Sequence, residues 1–547
     1  MYSVFHSNSL LTVTSEATVR PAKYIGMDEH AAATAAVASR IGQFHETKTP
    51  FRVYHGSTNS TRRSQRRQDN TVDTSAMNRI LEVDTAKKTA LVEPNVPMDA
   101  LVDATLEHGL VPLVVMEFPG ITVGGGFSGT SGESSSFRYG AFETTVNWIE
   151  IVLPTGEVAR ASKSEKPDLF WGAASAFGTL GVVTLLEVQL RDAKSYVELT
   201  YRHVRDFGEV VSILQAETAD GSPNDYVDAI TFSLHSTVIC TGRLVDTLPQ
   251  GATPQQFLRA RDPWFSVHAQ RIEKRLQGLP PSQTATDHIP LVDYLFRYDR
   301  GGFWTARYAF RYFLTPFNCV TRFLLNPLLH ARVMYRALHQ SGLSDLYVVQ
   351  DVGIPYAHAA RFAAWLDQNL PLYPLWLCPL RVRRDAPDAR HGLHAEFGDR
   401  SDAATSPETM LNFGVWGPVS LTDRRRCVAQ NRALERAVHA LGGKKWLYAH
   451  AYYTEAEFWA QYDRPAYDAL RARYGAGYLP SVFDKVRVDV DAEEARVRAS
   501  WVVWVLAAVW MVWPLRGVYG VWRAVAGGDY LLQGRGRRER EEERKRR

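Results

Sequence analysis

The stretch TVGGGFSGTSGESS, residues 122–135, constrains this protein more than any other segment, because most of its positions are Gly, Ser or Thr. A run with so few side chains lets backbone N–H groups come close to a phosphate or a planar ring, and successive amides can form an anion-binding nest. Ser and Thr hydroxyls add further donors. A flexible linker could share this composition, but the apolar LVPLVVMEFPG precedes the run and TVNWIEIVLP follows it, as in a loop crossing a packed domain. Gly124, Gly125, Gly126 and Gly129 also satisfy GxGxxG. In a dinucleotide-binding unit such glycines follow a strand, open a helix and are followed about 20 residues later by an acid on the ribose. Glu150 falls near that distance. Yet TSGESSSFRYGAF shows no helical period and Glu150 lies in a hairpin strand, so the fingerprint lacks its context.

The surrounding pattern is α+β. EHAAATAAVASRIGQFHE (29–46) reads as an amphipathic helix, KTPFRVYHGSTNSTR (48–62) as a strand entering a polar loop, and RILEVDTAKKTALVEP (79–94) as two strands about a turn. PMDALVDATLEHG (97–109) is a helix bounded by Pro and Gly, and TVNWIEIVLPTGEVARAS (145–162) a hairpin turning at Thr155-Gly156. KPDLFWGAASAFGTLGVVTLLEVQLR (166–191) gives a helix, a glycine turn and a strand. At 547 residues two or three packed units are expected. The texture changes near 195, where aromatics, Arg and Pro increase. The expected division is 1–192, a second α+β unit over 193–443, a return segment over 444–490, and a linker, apolar helix and tail over 491–547.

A net charge of +4 argues against nucleic acid as partner. Cys240, Cys319, Cys378 and Cys427 form no CxxC pair, so no metal cage is expected and a reducing compartment fits. The N-terminus lacks the pattern of a signal peptide. ASWVVWVLAAVWMVWPL (499–515) has no charged side chain and reaches the lower length limit for a spanning helix. Its density of Trp suits shallow insertion equally. Beyond Gly534 follow eight basic and four acidic residues, a tail suited to the cytosolic side of an anionic membrane.

Together the HGSTN loop, TVGGGFSGTSGESSSFRYG, FGTLGVVTLLEVQL, YVVQDVGIPY, YPLWLCPL and LYAHAYYTEAEFW resemble the FAD-binding domain of the vanillyl-alcohol oxidase/p-cresol methylhydroxylase (PCMH) class, and within it the Δ24-sterol reductase (Diminuto/Dwarf) family. The resemblance spans about residues 79–486. It implies a two-part PCMH-type FAD-binding domain, formed by 1–192 and completed by 444–490, with a cap or substrate domain between. It implies FAD along Thr122, Val123, Gly124, Gly125, Gly126, Phe127, Ser128, Gly129, Thr130, Ser131, Gly132, Glu133 and Ser134, with Gly178, Thr179 and Gly181 near the flavin. His55, Gly56, Ser57, Thr58 and Asn59 would follow the pyrophosphate. Some members of the class tether FAD to a His in that loop. Here Thr58 takes that position, which implies non-covalent FAD.

The resemblance further implies hydride transfer from reduced flavin to an alkene in the tail of a sterol or isoprenoid, with NADPH as electron donor, at the endoplasmic reticulum membrane with the catalytic body facing the cytosol. An isolated alkene needs an acid to add a proton as hydride arrives. Tyr448, His450 and Tyr452 in LYAHAYY share one face if that segment is a strand and are the candidates, with an aromatic structural face as the alternative. His450 departs from the family, where an acid is common. Trp304 is a candidate for the substrate pocket, and Arg297 and Arg300 match the family with no assigned role beyond surface ion pairs. Family members have an apolar anchor at the N-terminus, whereas the apolar run of this protein is at the C-terminus. Oxidation of another lipid or alcohol, or a non-catalytic lipid-binding role, are the alternatives.

Overall fold

The computed structural model describes residues 22–55, 68–280, 282–382, 409–420, 422–499 and 512–527. Gly56–Asn59, most of the apolar run 499–515 and the basic tail lie outside the described residues. Strands β1 (Arg52–Tyr54) and β2 (Thr71–Asp73) form a small parallel pair. The first main sheet comprises β3 (Ile80–Asp84), β4 (Thr89–Val92), β5 (Leu110–Pro112), β6 (Val146–Val152), β7 (Val158–Ser162) and β8 (Val182–Asp192). Its order is β3-β4-β8-β6-β7, and β5 joins the far end of β8. The two hairpins arise where alternating apolar residues flank short turns. At the β6–β7 turn Gly156 has φ +91°, and a Cβ there would lie 3.0 Å from the Ala38 carbonyl. That clearance lets helix Ala22–Glu46 lie against the sheet, burying Val37, Ile41 and Phe44 with Val152 and Val182.

The same helix is pinned electrostatically. His30 is buried between Glu93 (3.0 Å) and Glu150 (3.1 Å). Burial alone would lower its pKa, but the hydrogen bonds to Glu150 and Glu93 outweigh this and raise it to about 9. A raised pKa contributes stability that is complete below the unfolded value of about 6.5 and is lost as pH climbs through 9. His30→Ala leaves the two carboxylates without their cation, so a destabilisation of about 3 kcal/mol is expected at pH 6. Thermal unfolding across pH should show that difference shrinking above pH 9. A pH-independent gap would mean that the ring acts only by packing.

The second sheet is built from β9 (Tyr196–Val204), β10 (Tyr226–Ser233), β11 (Ser236–Val245), β12 (Thr284–Pro290), β13 (Tyr347–Pro355), β14 (Leu375–Arg381), β15 (Thr409–Pro418) and β16 (Lys444–Lys445). These run β12-β9-β11-β10-β14-β15-β13-β16, each antiparallel to its neighbours. Helices Phe207–Glu217, Tyr356–Asn369 and Arg424–Ala440 cover one face through Val210, Phe362 and Leu434. The other face shares a core with the first sheet: Val92, Ile149 and Leu186 belong to the same buried cluster as Leu199, Ile230, Trp376 and Trp416. The α+β expectation is met.

At the C-terminal side, the apolar run 499–515 expected to meet a membrane lies mostly outside the described residues, and no helix among the described residues is long and apolar enough to cross one. From the end of that run, the described residues form a twelve-residue helix, Leu515–Ala526. It packs against helix Ala331–Ser341.

Candidate active site

A cavity of about 3000 Å³ lies between the two sheets. That exceeds the ~300–1,000 Å³ of an ordinary small-ligand pocket, so it has room for an extended cofactor and a second molecule. One wall is the glycine segment. Contrary to the reading of a non-helical loop, Val123–Gly129 forms a short helix with Thr122 as N-cap, its hydroxyl accepting from Gly125 N at 3.2 Å. Four glycines are poor helix formers, so tertiary packing enforces the turn. A Cβ at Gly124 would fall 2.6 Å from Pro94 Cβ, one at Gly126 2.4 Å from Met116 Cε, and one at Gly132 2.6 Å from Leu380. These glycines are required by the protein's own packing. Gly125 and Gly129 differ: a Cβ there meets only Thr122 Oγ1 at 3.0 Å or Ser131 Oγ at 3.7 Å, and both line the cavity.

Of the expected FAD-contacting residues, Thr122, Gly124, Gly125, Ser128, Gly129, Ser131 and Gly132 border the cavity, together with His55, Gly178 and Gly181. The other described ones turn inward. Val123, Gly126 and Phe127 are buried in the core, Thr130 caps the helix and accepts Trp446 Nε1 on its carbonyl at 2.8 Å, and Thr179 bonds Tyr467 Oη at 2.9 Å. Ser134 is buried and contacts Tyr294 Oη at 3.3 Å. Glu133 is buried, its carboxylate accepting from Ser134 N while Oε1 has no hydrogen-bond partner among the described residues. Amides of Val123, Gly124 and Gly126 are spent on the carbonyls of Val96, Pro94 and Thr122, so the start of this segment is not an open nest. Glu150 is held by His30 and Thr184, consistent with its exclusion as a ribose ligand.

Opposite this wall, Gly181 has φ +146° and a Cβ there would lie 2.6 Å from the Val152 carbonyl; Gly178 has φ +73°. Arg52, Lys485 and Arg487 bring positive charge to the same cavity. An elongated space with bare backbone on both sides and cations beside it fits a dinucleotide such as FAD.

The far part of the cavity is acidic and aromatic. Glu117 follows β5 on the loop before the glycine helix, Asp351 sits mid-β13, and Tyr448 lies in a turn after β16. All three border the cavity. Tyr448 Oη donates to Asp351 Oδ2, and Asn412 Nδ2 donates to Asp351 Oδ1 at 3.0 Å. Burial raises the Asp351 pKa to about 6, against hydrogen bonds from Tyr448, Asn412 and Trp416 that favour its ionised form. Burial, reinforced by the nearby Glu133 and Asp351 charges, raises the Glu117 pKa to about 8, which favours the protonated carboxyl. Trp376, Trp416, Phe303 and Tyr335 complete this part of the wall.

Other candidates fall differently. Residues 446–454 are not a strand, because β16 ends at Lys445, so Tyr448, His450 and Tyr452 do not share a pleated face. His450 lines the cavity, and its carbonyl accepts from Gln350 Nε2 at 3.0 Å. Tyr452 turns away, its hydroxyl accepting from Arg424 at 2.9 Å. Trp304 is buried behind the wall, packed on Phe303 and Trp416, and does not reach the cavity. The arginines are interior: Arg297 pairs with Asp228 at 2.7 Å, and Arg300 donates to the Phe257, Asp262 and Ala260 carbonyls. Glu117 and Asp351 were missed, although each stands as a lone acid in an apolar run, VVMEF and YVVQDVGI.

The cavity and its glycine wall define a flavoprotein: residues 30–162 match the family model of an FAD binding domain. Human Delta(24)-sterol reductase is 30% identical over 420 residues, covering 74% of this sequence and 76% of the human protein. The Pisum sativum Delta(24)-sterol reductase is 29% identical over 451 residues, 76% of each protein. Rice cytokinin dehydrogenase 6 matches more locally, at 30% over 128 residues and 23% of this sequence. The protein belongs to the Delta(24)-sterol reductase family.

Proposed function

We propose that this protein is a membrane-associated FAD-dependent reductase that saturates an alkene in the tail of a sterol, with NADPH as electron source and FAD held non-covalently. The observation that carries this reading is a single cavity lined by bare backbone along one part and by the carboxyl of Glu117 among aromatic side chains in another. Its relatives' names supply the substrate class. The return segment 444–490 supports a two-part FAD domain, since Tyr467 bonds Thr179 and Arg473 pairs with Asp168 of the first part at 2.5 Å. Association with the endoplasmic reticulum membrane, body toward the cytosol, follows from the apolar run 499–515 and the basic tail.

Bound FAD, once reduced, supplies hydride. Gly125, Gly129 and Gly178 give the cofactor backbone clearance, and Arg52 and Lys485 balance phosphate charge. Trp376, Trp416 and Phe303 keep water from the reacting carbons and pack on the apolar sterol tail. The alkene gains one hydride and one proton, and Glu117 is the group that holds a proton where water is scarce. Asp351, ionised, takes the hydrogen bond of Tyr448 and fixes the phenol at the wall. His450 and Tyr452 are left with positioning roles.

Turnover of a Δ24-unsaturated sterol with NADPH in D2O tests this reading. One deuterium at a former alkene carbon and anaerobic bleaching of the flavin by NADPH are expected. A flavin that NADPH leaves oxidised, but that an alcohol substrate bleaches, would replace the reductase reading by an oxidase.

A further inference from the structure

Of thirteen large apolar residues exposed among the described residues, ten lie in two segments, 314–324 and 512–525. Exposed apolar residues scattered singly are ordinary, but a cluster marks a surface that meets something other than water. The two segments adjoin. Trp513 Nε1 donates to the Tyr312 carbonyl at 2.7 Å, and Gly517 packs on the rings of Tyr312 and Phe313.

Helix Leu515–Ala526 has its faces reversed relative to a normal surface helix. The side against the protein is made of Gly517, Gly520 and Ala524, whose small size permits close approach: a Cβ at Gly520 would lie 2.4 Å from the Ala337 carbonyl. The outward side carries Leu515, Val518, Trp522 and Val525. Arg516 locks the helix in place by donating to the Ser341 carbonyl at 2.6 Å and to that of Gly342, at the end of helix Ala331–Ser341. The orientation is therefore fixed by packing, and the apolar side is held outward.

Charge and position identify the occupant. Residues 306–341 contain five arginines and no Asp or Glu, and residues 500–528 contain two arginines and no acid. Apolar residues accompanied within their own stretches by basic residues alone suit an anionic lipid interface, and the acids along the same cavity, such as Asp345, Glu493 and Glu494, come from other segments. Val518, Trp522 and Val525, with Leu325 and Leu328, also line the cavity that holds Glu117 and Asp351. We propose that the cap segment 314–328 and helix Leu515–Ala526 together form a lipid-docking face around the cavity mouth. It seats the opening on an anionic bilayer, so that an apolar substrate passes from lipid to site without crossing water. The role of the opening rests on the reductase reading above; the docking itself does not.

The test uses full-length protein and vesicles of phosphatidylcholine with and without phosphatidylserine. Phe323→Glu with Leu324→Glu, and separately Leu515→Glu, alter exposed residues that do not line the cavity. Each is expected to lower vesicle co-sedimentation at least about tenfold, the range expected from removing one or two interfacial apolar contacts and adding negative charge. Flavin content, thermal midpoint and turnover of detergent-dispersed sterol should be unchanged, while turnover of vesicle-borne sterol falls. Vesicle binding equal to wild type in both variants overturns the proposal. A wild-type dimer in solution that either variant dissociates would also overturn it, assigning the face to a second copy. Loss of binding without any sterol turnover in the wild type would sink the reductase reading alone.

Discussion

Glu117→Gln lowers turnover by about 10²- to 10⁴-fold with the flavin still bound, the range associated with loss of a general acid. The amide keeps the shape of the carboxyl and removes only its proton. In the unaltered protein activity falls as pH rises through about 8, because Glu117 then loses the proton it would donate. The variant should lack that alkaline limb. A second readout separates acid catalysis from simple packing. A carboxyl with a folded pKa raised from its ordinary value is harmless to the fold at low pH, and its burial cost grows between about 4.5 and 8 as it ionises. Glu117→Gln should therefore unfold at a higher temperature than wild type at pH 9 and at a similar temperature near pH 4.5. Turnover within threefold of wild type would remove Glu117 from the chemistry and turn attention to Tyr448 and Asp351.

Gly125→Glu strips the protein of flavin, whereas Gly125→Ala does not. The only obstacle to a Cβ at Gly125 is the N-cap oxygen Thr122 Oγ1 at 3.0 Å, which needs to give by only a few tenths of an ångström, so the backbone accepts a small side chain there. A carboxylate at that point enters the space assigned to the diphosphate. Its repulsion needs to supply only about 1.4 kcal/mol to cost a factor of ten in affinity. Flavin absorbance per mole of purified protein should fall at least that far. Gly124→Ala is the contrasting case: its Cβ would press to 2.6 Å from Pro94 Cβ, so the expected loss is of fold rather than of flavin alone. Full occupancy in Gly125→Glu would move the cofactor off this wall.

The strands and helices up to residue 192 were readable because each alternates or repeats cleanly between Gly and Pro punctuation. The place of the glycine segment was readable for the same reason, but not its conformation. Val123–Gly129 is helical despite four glycines because Pro94 and Met116, outside the segment, leave no room for a side chain at Gly124 and Gly126. Tyr448 was chosen from an alternation that stops at Lys445, and it reaches the cavity from a turn. Trp304 is adjacent in sequence to a wall residue, Phe303, yet points into the core. Glu117 and Asp351 lie 234 positions apart and meet only because the first sheet's loop and the second sheet's β13 face one space. A lone acid amid apolar residues was the available signal; which acids pair across the fold was not available locally.

The buried cluster that runs from Ile149 and Leu186 to Ile230 and Trp416 has a kinetic consequence. Two units joined by a continuous apolar core have no hinge, since swinging them apart would expose that core to water. Traffic of bulky molecules must then use the fixed opening, and exchange rates should answer to whatever crowds that portal, not to any clamshell motion of the halves.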